Sequence, residues 1–286
     1  MSVAISDEEI KRLSEIAKQV RKDIMVQLLG AGGGHIGPSL SIVEICVALY
    51  FNHAKLDPKN PYWEERDRIV LSKAHACETI YSCLARKGYF SPDILPTYKH
   101  FGSILQGHAD AWATVGLEYS GGSLGQGLGF SIGLALAARM KTKHNAMRGG
   151  PDYTYRVFCI CGDGETQEGD VWEAAMAASQ YKLWNLVNII DYNQFSAMGS
   201  IASSVDLEPL AEKWRSFGWW TTEIDGHNLR EILETLKKCD NIPMPKCIIA
   251  RTTKGKGIPY FEKSHDHMLY DRAIFDLYDK VINTIY

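Results

Sequence analysis

The sequence predicts an α/β protein whose doubly wound, mostly parallel sheet carries helices on both faces. Two short apolar runs, residues 155–161 and 186–190, are rich in β-branched and aromatic residues and indicate buried parallel strands. Between them, residues 168–181 place Val171 and Ala174 at helical spacing, which suits the crossover helix of a βαβ unit. Strands and helices alternate along the rest of the chain, and this alternation favours a parallel sheet.

The remaining elements follow in chain order. Ser6 and Glu9 form a capping box that predicts a helix ending at Gly30, and the same spacing of Ser41 and Glu44 predicts a second helix. Further strands are expected at residues 68–72, 219–224 and 247–250, and further helices at 75–87, 229–238 and from the glycine-rich loop 121–127 to about 143.

Composition places the chain among ordinary globular proteins. With 286 residues, 45% hydrophobic and 23% charged, we expect one domain over 1–286 with a C-terminal extension from about residue 240. The net charge of -3 gives no field that would attract nucleic acid or an anionic membrane. No apolar run approaches the ~20 residues of a membrane helix, and residues 2–12 lack a signal-peptide core, so we expect a cytoplasmic protein. The seven scattered cysteines are expected to be reduced core residues.

The residues best suited to chemistry directly follow the two central strands. Asp163 lies between Gly162 and Gly164 after the first strand, and Asn193 follows the second. The carboxyl edge of an open parallel sheet is where ligands bind, and helix amino termini there favour phosphate. A carboxylate and a carboxamide oxygen suit Mg²⁺ or Ca²⁺ rather than zinc, and a diphosphate would complete the coordination. Each short motif alone is also typical of a tight turn or an Asx loop.

Together the two clusters resemble the thiamine diphosphate signature, in which a GDG motif is followed, after a crossover helix, by an Asn-containing cluster. Further segments resemble transketolases in order, namely GHIG at 34–37, DRIVLSKAH at 67–75, QGH at 106–108, GSLGQG at 122–127, and KGKG at 254–257 followed by SHDH at 264–267. The resemblance covers most of the chain, and it implies a thiamine diphosphate-binding fold and thiamine diphosphate with Mg²⁺ as cofactors, with Ca²⁺ or Mn²⁺ as alternative metals.

The resemblance also implies cofactor contacts. His75 would donate to the diphosphate, with Gly164 and Lys254 beside it. The metal would be held by Asp163, Asn193 and the carbonyl of Phe195. The aminopyrimidine would meet the backbone of Gly122, Ser123 and Leu124. Lys254 is equally typical of a solvated loop lysine.

Three histidines are candidates for catalysis. By the resemblance, His35, His108 and His267 contact sugar hydroxyls and assist proton transfer, and an unperturbed imidazole pKa near ~6.5 suits that task. The final segment is one residue shorter than in the family, so the sequence leaves His265 as an alternative to His267. Glu168 matches a glutamate at the contact between subunits, although it is also typical of an ordinary first-turn helix acid.

Full transketolases continue with a pyrimidine-binding and a third domain, and the chain resembles the N-terminal subunit of a split transketolase. The expected activity is transfer of a two-carbon ketol unit from a phosphorylated ketose to an aldose. It requires a C-terminal subunit in an α2β2 heterotetramer, because the pyrimidine domain supplies the glutamate that activates the cofactor. The alternatives are the α-subunit of a 2-oxo acid dehydrogenase, a subunit similar to deoxyxylulose phosphate synthase, and a non-catalytic scaffold. The sequence leaves the sugar substrate open.

Overall fold

The computed structural model describes residues 5–147, 155–270 and 272–286, with side chains for all of these except 143–146, 270 and 272–276. The strands, in chain order, are β1 Gly33–Gly34, β2 Arg68–Leu71, β3 Val157–Gly162, β4 Leu186–Tyr192, β5 Trp220–Asp225, β6 Lys246–Arg251 and β7 Leu269–Tyr270. The α-helices are α1 Asp7–Ala31, α2 Ile36–Ser41, α3 Val43–Ala48, α4 Cys77–Lys87, α5 Gln126–Met147, α6 Gly169–Gln180, α7 Ile201–Ser204, α8 Leu210–Ser216, α9 Leu229–Cys239, α10 Pro259–Ser264 and α11 Arg272–Val281.

Five parallel strands form the central sheet in the order β2-β3-β4-β6-β5, and this confirms the predicted fold class. The register sets Gly162 at the end of β3 opposite Asp191 near the end of β4. Asp163 and Asn193 therefore leave the sheet at the same edge. A separate two-stranded pairing joins β1 to β7 in antiparallel fashion.

Helices cover both faces of the sheet, because alternate side chains of each buried strand point to opposite layers. In β3, Phe158 and Ile160 belong to the layer that contains residues of α1, α3, α4 and α9. Val157, Cys159 and Cys161 belong to the layer formed with α5, α6 and α8. All seven cysteines are buried and free, as the sequence predicts.

The first predicted helix start is confirmed at Ser6, whereas Ser41 does not cap the second helix, which forms as α3. Ser6 accepts a hydrogen bond from the N–H of Glu9 at 3.2 Å and caps α1. Ser41 instead ends α2, and its Oγ lies 2.6 Å from Oδ2 of the buried Asp191. Glu44 is bound by Arg21 and His227 rather than by a helix amino terminus. A capping-box motif reflects only the spacing of residues in the sequence. Here the side chains of Ser41 and Glu44 bind partners from distant parts of the chain instead.

The chain after residue 240 begins with a strand that is central to the sheet. β6 lies between β4 and β5, and it carries the segment that leads to Lys254. The part of the chain expected to be a C-terminal extension therefore begins with a strand of the central sheet. None of the described helices is long and apolar enough to cross a bilayer.

Candidate active site

Asp163 lies at the floor of a cleft where β3 and β4 end side by side. Its side chain is buried, Oδ1 accepts the N–H of Gly164 at 2.7 Å, and Oδ2 accepts the N–H of Gln194 at 2.5 Å. The second bond joins the loops after β3 and β4 and so brings Asp163 beside Asn193. Burial, together with the nearby Asp191 carboxylate, raises the pKa of Asp163 to about 7. A carboxylate in such surroundings is stabilised by a cation.

Asn193 is oriented by a second buried acid, Asp191. The Asn193 Nδ2 donates to Asp191 Oδ2 at 2.8 Å, and its Oδ1 accepts the N–H of Phe195 at 3.0 Å. The Lys73 ammonium forms an ion pair with Asp191, whose other oxygen accepts a hydrogen bond from Thr252 at 2.5 Å. Burial by itself would raise the pKa of Asp191, but the Lys73 ammonium lowers it below its ordinary value.

Glu165 ties the glycine-rich loop to the GDG turn. Its Oε1 accepts hydrogen bonds from Ser72 Oγ at 2.5 Å and from the N–H of Gly125 at 2.9 Å. Its Oε2 accepts the N–H of Gly162 at 3.0 Å. One buried carboxyl group therefore connects the ends of β2 and β3 with the amino terminus of α5.

Four imidazoles converge above these loops. The ring centroid of His35 lies 5.5 Å from that of His75, 5.3 Å from that of His108 and 5.7 Å from that of His267. The rings of His75 and His267 are 5.3 Å apart. His265 points elsewhere and stacks on Phe195, with centroids 4.2 Å apart and an interplanar angle of 15°. The structure thus brings His267, and not His265, to the other histidines.

The clustered histidines are neutral at neutral pH. Burial, with His108 and the Lys99 ammonium, lowers the pKa of His35 to about 4. Burial, with Lys254, lowers the pKa of His267 to about 3. Burial is also the main cause that lowers the pKa of His75 and of His108. A neutral imidazole offers one donor and one acceptor, so each ring can orient a hydroxyl and accept its proton. The lowered pKa makes these rings weaker bases than the unperturbed imidazole expected from the sequence.

Lys254 lies beneath the loop after β4. It is 1% exposed, and its Nζ donates to the carbonyl of Ser196 at 2.9 Å and to that of Phe195 at 3.5 Å. Burial, with the Lys73 ammonium nearby, lowers the pKa of Lys254 to about 8. The alternative of a solvated loop lysine is therefore wrong, while contact with a diphosphate stays a prediction.

Most of the predicted site residues line one cavity of about 390 Å³. These are His35, His75, His108, Gly122, Leu124, Asp163, Gly164, Glu168, Asn193, Phe195 and His267. Ser123 is exposed beside the cavity, and Lys254 lies behind its wall. Glu168 is exposed at the rim, where another chain could contact it.

Lys73, Asp191 and Glu165 also belong to the site, although no role is predicted for them from the sequence. Lys73 and Glu165 closely follow the apolar strands β2 and β3, and Asp191 lies within β4. The contrast between a charged residue and an apolar strand is the signal that could have identified them, because charged side chains are rarely buried without partners. Their partners, however, come from distant parts of the chain.

The cavity offers unpaired polar atoms and uncrowded backbone to a bound cofactor. Nδ1 of His35 and Nδ1 of His267 are buried without a partner among the described residues, and a ligand could supply one. A methyl group added to Gly122 would have no atom within 4 Å, and a methyl group added to Gly162 would have none nearer than 3.8 Å. Packing within the chain therefore does not require glycine at these positions, and a ligand could approach the backbone there. The described residues contain no group of three or more His, Cys, Asp or Glu that could hold a metal. A cation would thus take Asp163, Asn193 and carbonyl oxygens, with phosphate and water for the remainder.

Residues 13–270 match the family described as transketolase, thiamine diphosphate binding domain. The chain is 41% identical to the 6-deoxy-6-sulfo-D-fructose transketolase subunit SqwG of Clostridium sp. (strain MSTE9), over 90% of this chain and 90% of that protein. It is 37% identical to an apulose-4-phosphate transketolase subunit of Phocaeicola vulgatus, over 89% of this chain and 87% of that protein. The crystal structure of Campylobacter jejuni transketolase superimposes with a TM-score of 0.83 at 31% identity, over 90% of this chain and 40% of that one.

Fold and site together define an α/β subunit of a thiamine diphosphate-dependent enzyme. The family match spans most of the chain, and the two subunits just described are similar over about nine-tenths of it. The chain belongs to the transketolase family, as its N-terminal, thiamine diphosphate-binding part. The resemblance to a split transketolase subunit is confirmed, and the dehydrogenase and synthase alternatives are set aside.

Proposed function

We propose that this chain is one half of a two-chain transketolase that moves a two-carbon ketol unit from a ketose to an aldose. The observation that carries the proposal is the single cavity in which four imidazoles face the Asp163 and Asn193 loops. The two relatives covered to 90% and 87% of their own length are named as transketolase subunits, which supports a requirement for a partner chain that carries the pyrimidine-binding part. We further propose an α2β2 assembly, and a cytoplasmic location supported by the buried free thiols.

The residues at the floor of the cavity would hold the cofactor. Asp163, Asn193 and the Phe195 carbonyl would bind Mg²⁺, and His75 with Lys254 would face the diphosphate. The exposed backbone of the glycine-rich loop, with Gly122, Ser123 and Leu124, would meet the aminopyrimidine. When bound, thiamine diphosphate supplies the nucleophilic carbon and the electron sink for breaking a bond next to a carbonyl.

The histidines would handle protons and hydroxyls at the reacting end of the sugar. His35, His108 and His267 are neutral, so each can accept a proton from a hydroxyl while its second nitrogen donates. The rings of His35 and His267 are 5.7 Å apart, close enough to contact neighbouring hydroxyls of one sugar. General acid–base assistance by one positioned imidazole contributes roughly 10² to 10⁴ in rate.

The substrate is proposed to be a sugar whose far end carries an anionic group that the partner recognises. The two subunits compared above are named for a sulfonated ketose and for a phosphorylated ketose. No arginine of the described chain lines the cavity, although arginine is the usual residue for bidentate binding of such groups. This chain would therefore select the ketol end, and the partner subunit would select the other end.

Calorimetry and turnover of the two-chain complex test the proposal. Mg²⁺ and thiamine diphosphate should bind to the complex, and ketol transfer to an aldose should appear only when both chains are present. Asp163→Ala should abolish cofactor binding, whereas Asp170→Ala at the exposed start of α6 should leave it unchanged. Absence of binding heat, or binding that survives Asp163→Ala, would instead support a scaffold subunit.

A further inference from the structure

A buried carboxyl group, Glu78 of α4, lies beneath the histidine cluster and has no role in the chemistry proposed above. It is 0% exposed, and its Oε1 accepts the N–H of His35 at 2.9 Å and the hydroxyl of Tyr98 at 3.0 Å. Its Oε2 lies 2.7 Å from Ser39 Oγ. We propose that Glu78 is a positioning residue that fixes the His35 imidazole within the catalytic cluster. The turnover part of this inference rests on the proposed transketolase function.

The backbone of Gly34, the residue before His35, packs directly against this carboxyl group. A Cβ at Gly34 would lie 2.5 Å from Glu78 Oε1 and 2.4 Å from Cδ2 of Leu28. Both distances are far below van der Waals contact, so the backbone before His35 is held directly against Glu78. Glu78 therefore contacts both the N–H of His35 and the backbone of the residue before it.

Lys99 also binds the segment that precedes His35. Lys99 has a φ of 61°, an unfavourable value for a lysine, and its Nζ donates to the carbonyl of Gly33 at 3.0 Å. Its own N–H donates to the carbonyl of Leu105, in the loop that leads to His108, at 2.8 Å. These two hydrogen bonds connect the His35 loop to the His108 loop through Lys99. An unfavourable backbone conformation such as that of Lys99 persists only where the surrounding structure enforces it.

The short β1–β7 pairing extends the arrangement to a third histidine. It sets Gly34, which directly precedes His35, opposite Leu269, which follows His267 by two positions. A Cβ at Gly37 would lie 2.1 Å from the carbonyl oxygen of Asp266, so the two segments also touch beside the histidines. A shift of the backbone at His35 would therefore move its ring relative to both His108 and His267.

The hydrogen-bond pattern predicts which substitutions Glu78 tolerates. Oε1 accepts from the His35 N–H and the Tyr98 hydroxyl, and Oε2 accepts from Ser39 Oγ. Glutamine keeps one acceptor oxygen for His35 and Tyr98, and its NH₂ group can donate to the Ser39 hydroxyl, which can also accept. Alanine leaves the N–H of His35 without this partner.

The test compares Glu78→Gln, Glu78→Ala and the milder Tyr98→Phe with Ser82→Ala in the two-chain complex. Ser82 is a matched control, because it is buried one turn further along α4 and hydrogen-bonds the Glu78 carbonyl and Gln27 but no histidine segment. We expect Glu78→Ala to lower kcat per bound cofactor by roughly 10- to 100-fold, since a misplacement of about 1 Å costs about 10² in rate. The affinity for cofactor should change less than about threefold, because Glu78 lies outside the diphosphate loops.

Glu78→Gln should retain near wild-type kcat, and the kcat of Tyr98→Phe should fall between those of Glu78→Gln and Glu78→Ala.

Imidazole NMR of this chain alone gives a readout that needs no turnover. The groups that face His35 are His75, His108, His267, Lys73 and Lys99. In Glu78→Ala, the pKa of His35 should rise from about 4 toward ~6.5, because a less firmly held ring is better hydrated. Wild-type kcat per bound cofactor in Glu78→Ala with an unchanged His35 titration would overturn the inference, as would equal impairment by Gln and Ala. Absence of turnover in the wild-type complex would refute the proposed function and leave the NMR test of Glu78 in force.

Discussion

Replacement of Asp163 by asparagine should stabilise the cofactor-free chain at pH 8 and destabilise the loaded complex relative to wild type. In the chain without ligand, burial and Asp191 raise the pKa of Asp163 from 3.8 to about 7. A raised carboxyl pKa means that the folded state holds the proton more tightly, so the free energy of unfolding falls as pH rises from about 4 to about 7. At about 1.4 kcal/mol per pH unit, the destabilisation above pH 7 reaches about 4 kcal/mol as an upper value.

Asparagine removes that penalty but loses one hydrogen bond. The two carboxylate oxygens accept from Gly164 and Gln194, and a carboxamide has only one acceptor, which costs about 1–3 kcal/mol. The difference leaves Asp163→Asn more stable than wild type by about 1–3 kcal/mol at pH 8. At pH 5 the wild-type side chain is itself mostly protonated, so this advantage should shrink below about 1 kcal/mol.

Ligand should reverse the order. At a thousand times Kd, binding to the folded state adds about 4.1 kcal/mol, which exceeds the advantage of about 1–3 kcal/mol of Asp163→Asn, and only wild type has the carboxylate proposed to bind Mg²⁺. The assay is urea unfolding of this chain at pH 5 and pH 8, and thermal unfolding of the two-chain complex with and without Mg²⁺ and thiamine diphosphate. Asp170→Asn, an exposed acid at the start of α6, is the control and should respond to ligand like wild type. The reasoning fails if Asp163→Asn is no more stable than wild type at pH 8, or if ligand stabilises both equally.

Three further predictions test other parts of the site and core. His267→Ala should lower kcat by about 10² to 10⁴. His265→Ala loses only a ring stack and should lower kcat less than about tenfold. Steady-state kinetics measure both, and a larger loss in His265→Ala than in His267→Ala would contradict the prediction. Lys254→Met should weaken thiamine diphosphate binding by about 10- to 100-fold, with Lys256→Met on the same turn as a neutral control in calorimetry. Because Lys254 loses its charge above about pH 8, wild-type affinity should also fall there. Phe158→Ala in β3 should cost about 3–5 kcal/mol in urea unfolding, and a loss below about 1 kcal/mol would show that the core tolerates the cavity.

The central strands and the crossover helix could be predicted because their signal is local. Five of the six residues of β3 are buried, so almost the whole strand reads as apolar, and α6 buries Val171 and Ala174 at the spacing expected of a crossover helix. The loops after β3 and β4 then follow from topology alone, since parallel strands end at the same edge. This is why Asp163 and Asn193 could be placed together without a structure.

The buried ion pair and hydrogen bonds that support the site could not be predicted in the same way, because the residues that form them are distant in sequence. The ion pair of Lys73 with Asp191 joins residues 118 positions apart, and Glu78 binds the N–H of His35 across 43 positions. Nothing in the spacing of Ser41 indicates that its hydroxyl is taken by Asp191, 150 positions away. A helix-start motif is only a local preference, and a buried carboxylate competes for the same hydroxyl.

The support also explains why Asp163, rather than its neighbour Asp191, is suited to hold a cation. Asp191 has the Lys73 ammonium and further donors from Ser41, Asn193 and Thr252, so its charge is already compensated inside the protein. Asp163 receives only two backbone N–H groups and faces the cavity without a cationic side chain bonded to it among the described residues. The pKa values follow, because Lys73 lowers that of Asp191 while burial raises that of Asp163. We therefore propose that Asp191 supports the site and that Asp163 is the metal ligand, where a bound cation would balance the charge that the chain itself leaves uncompensated.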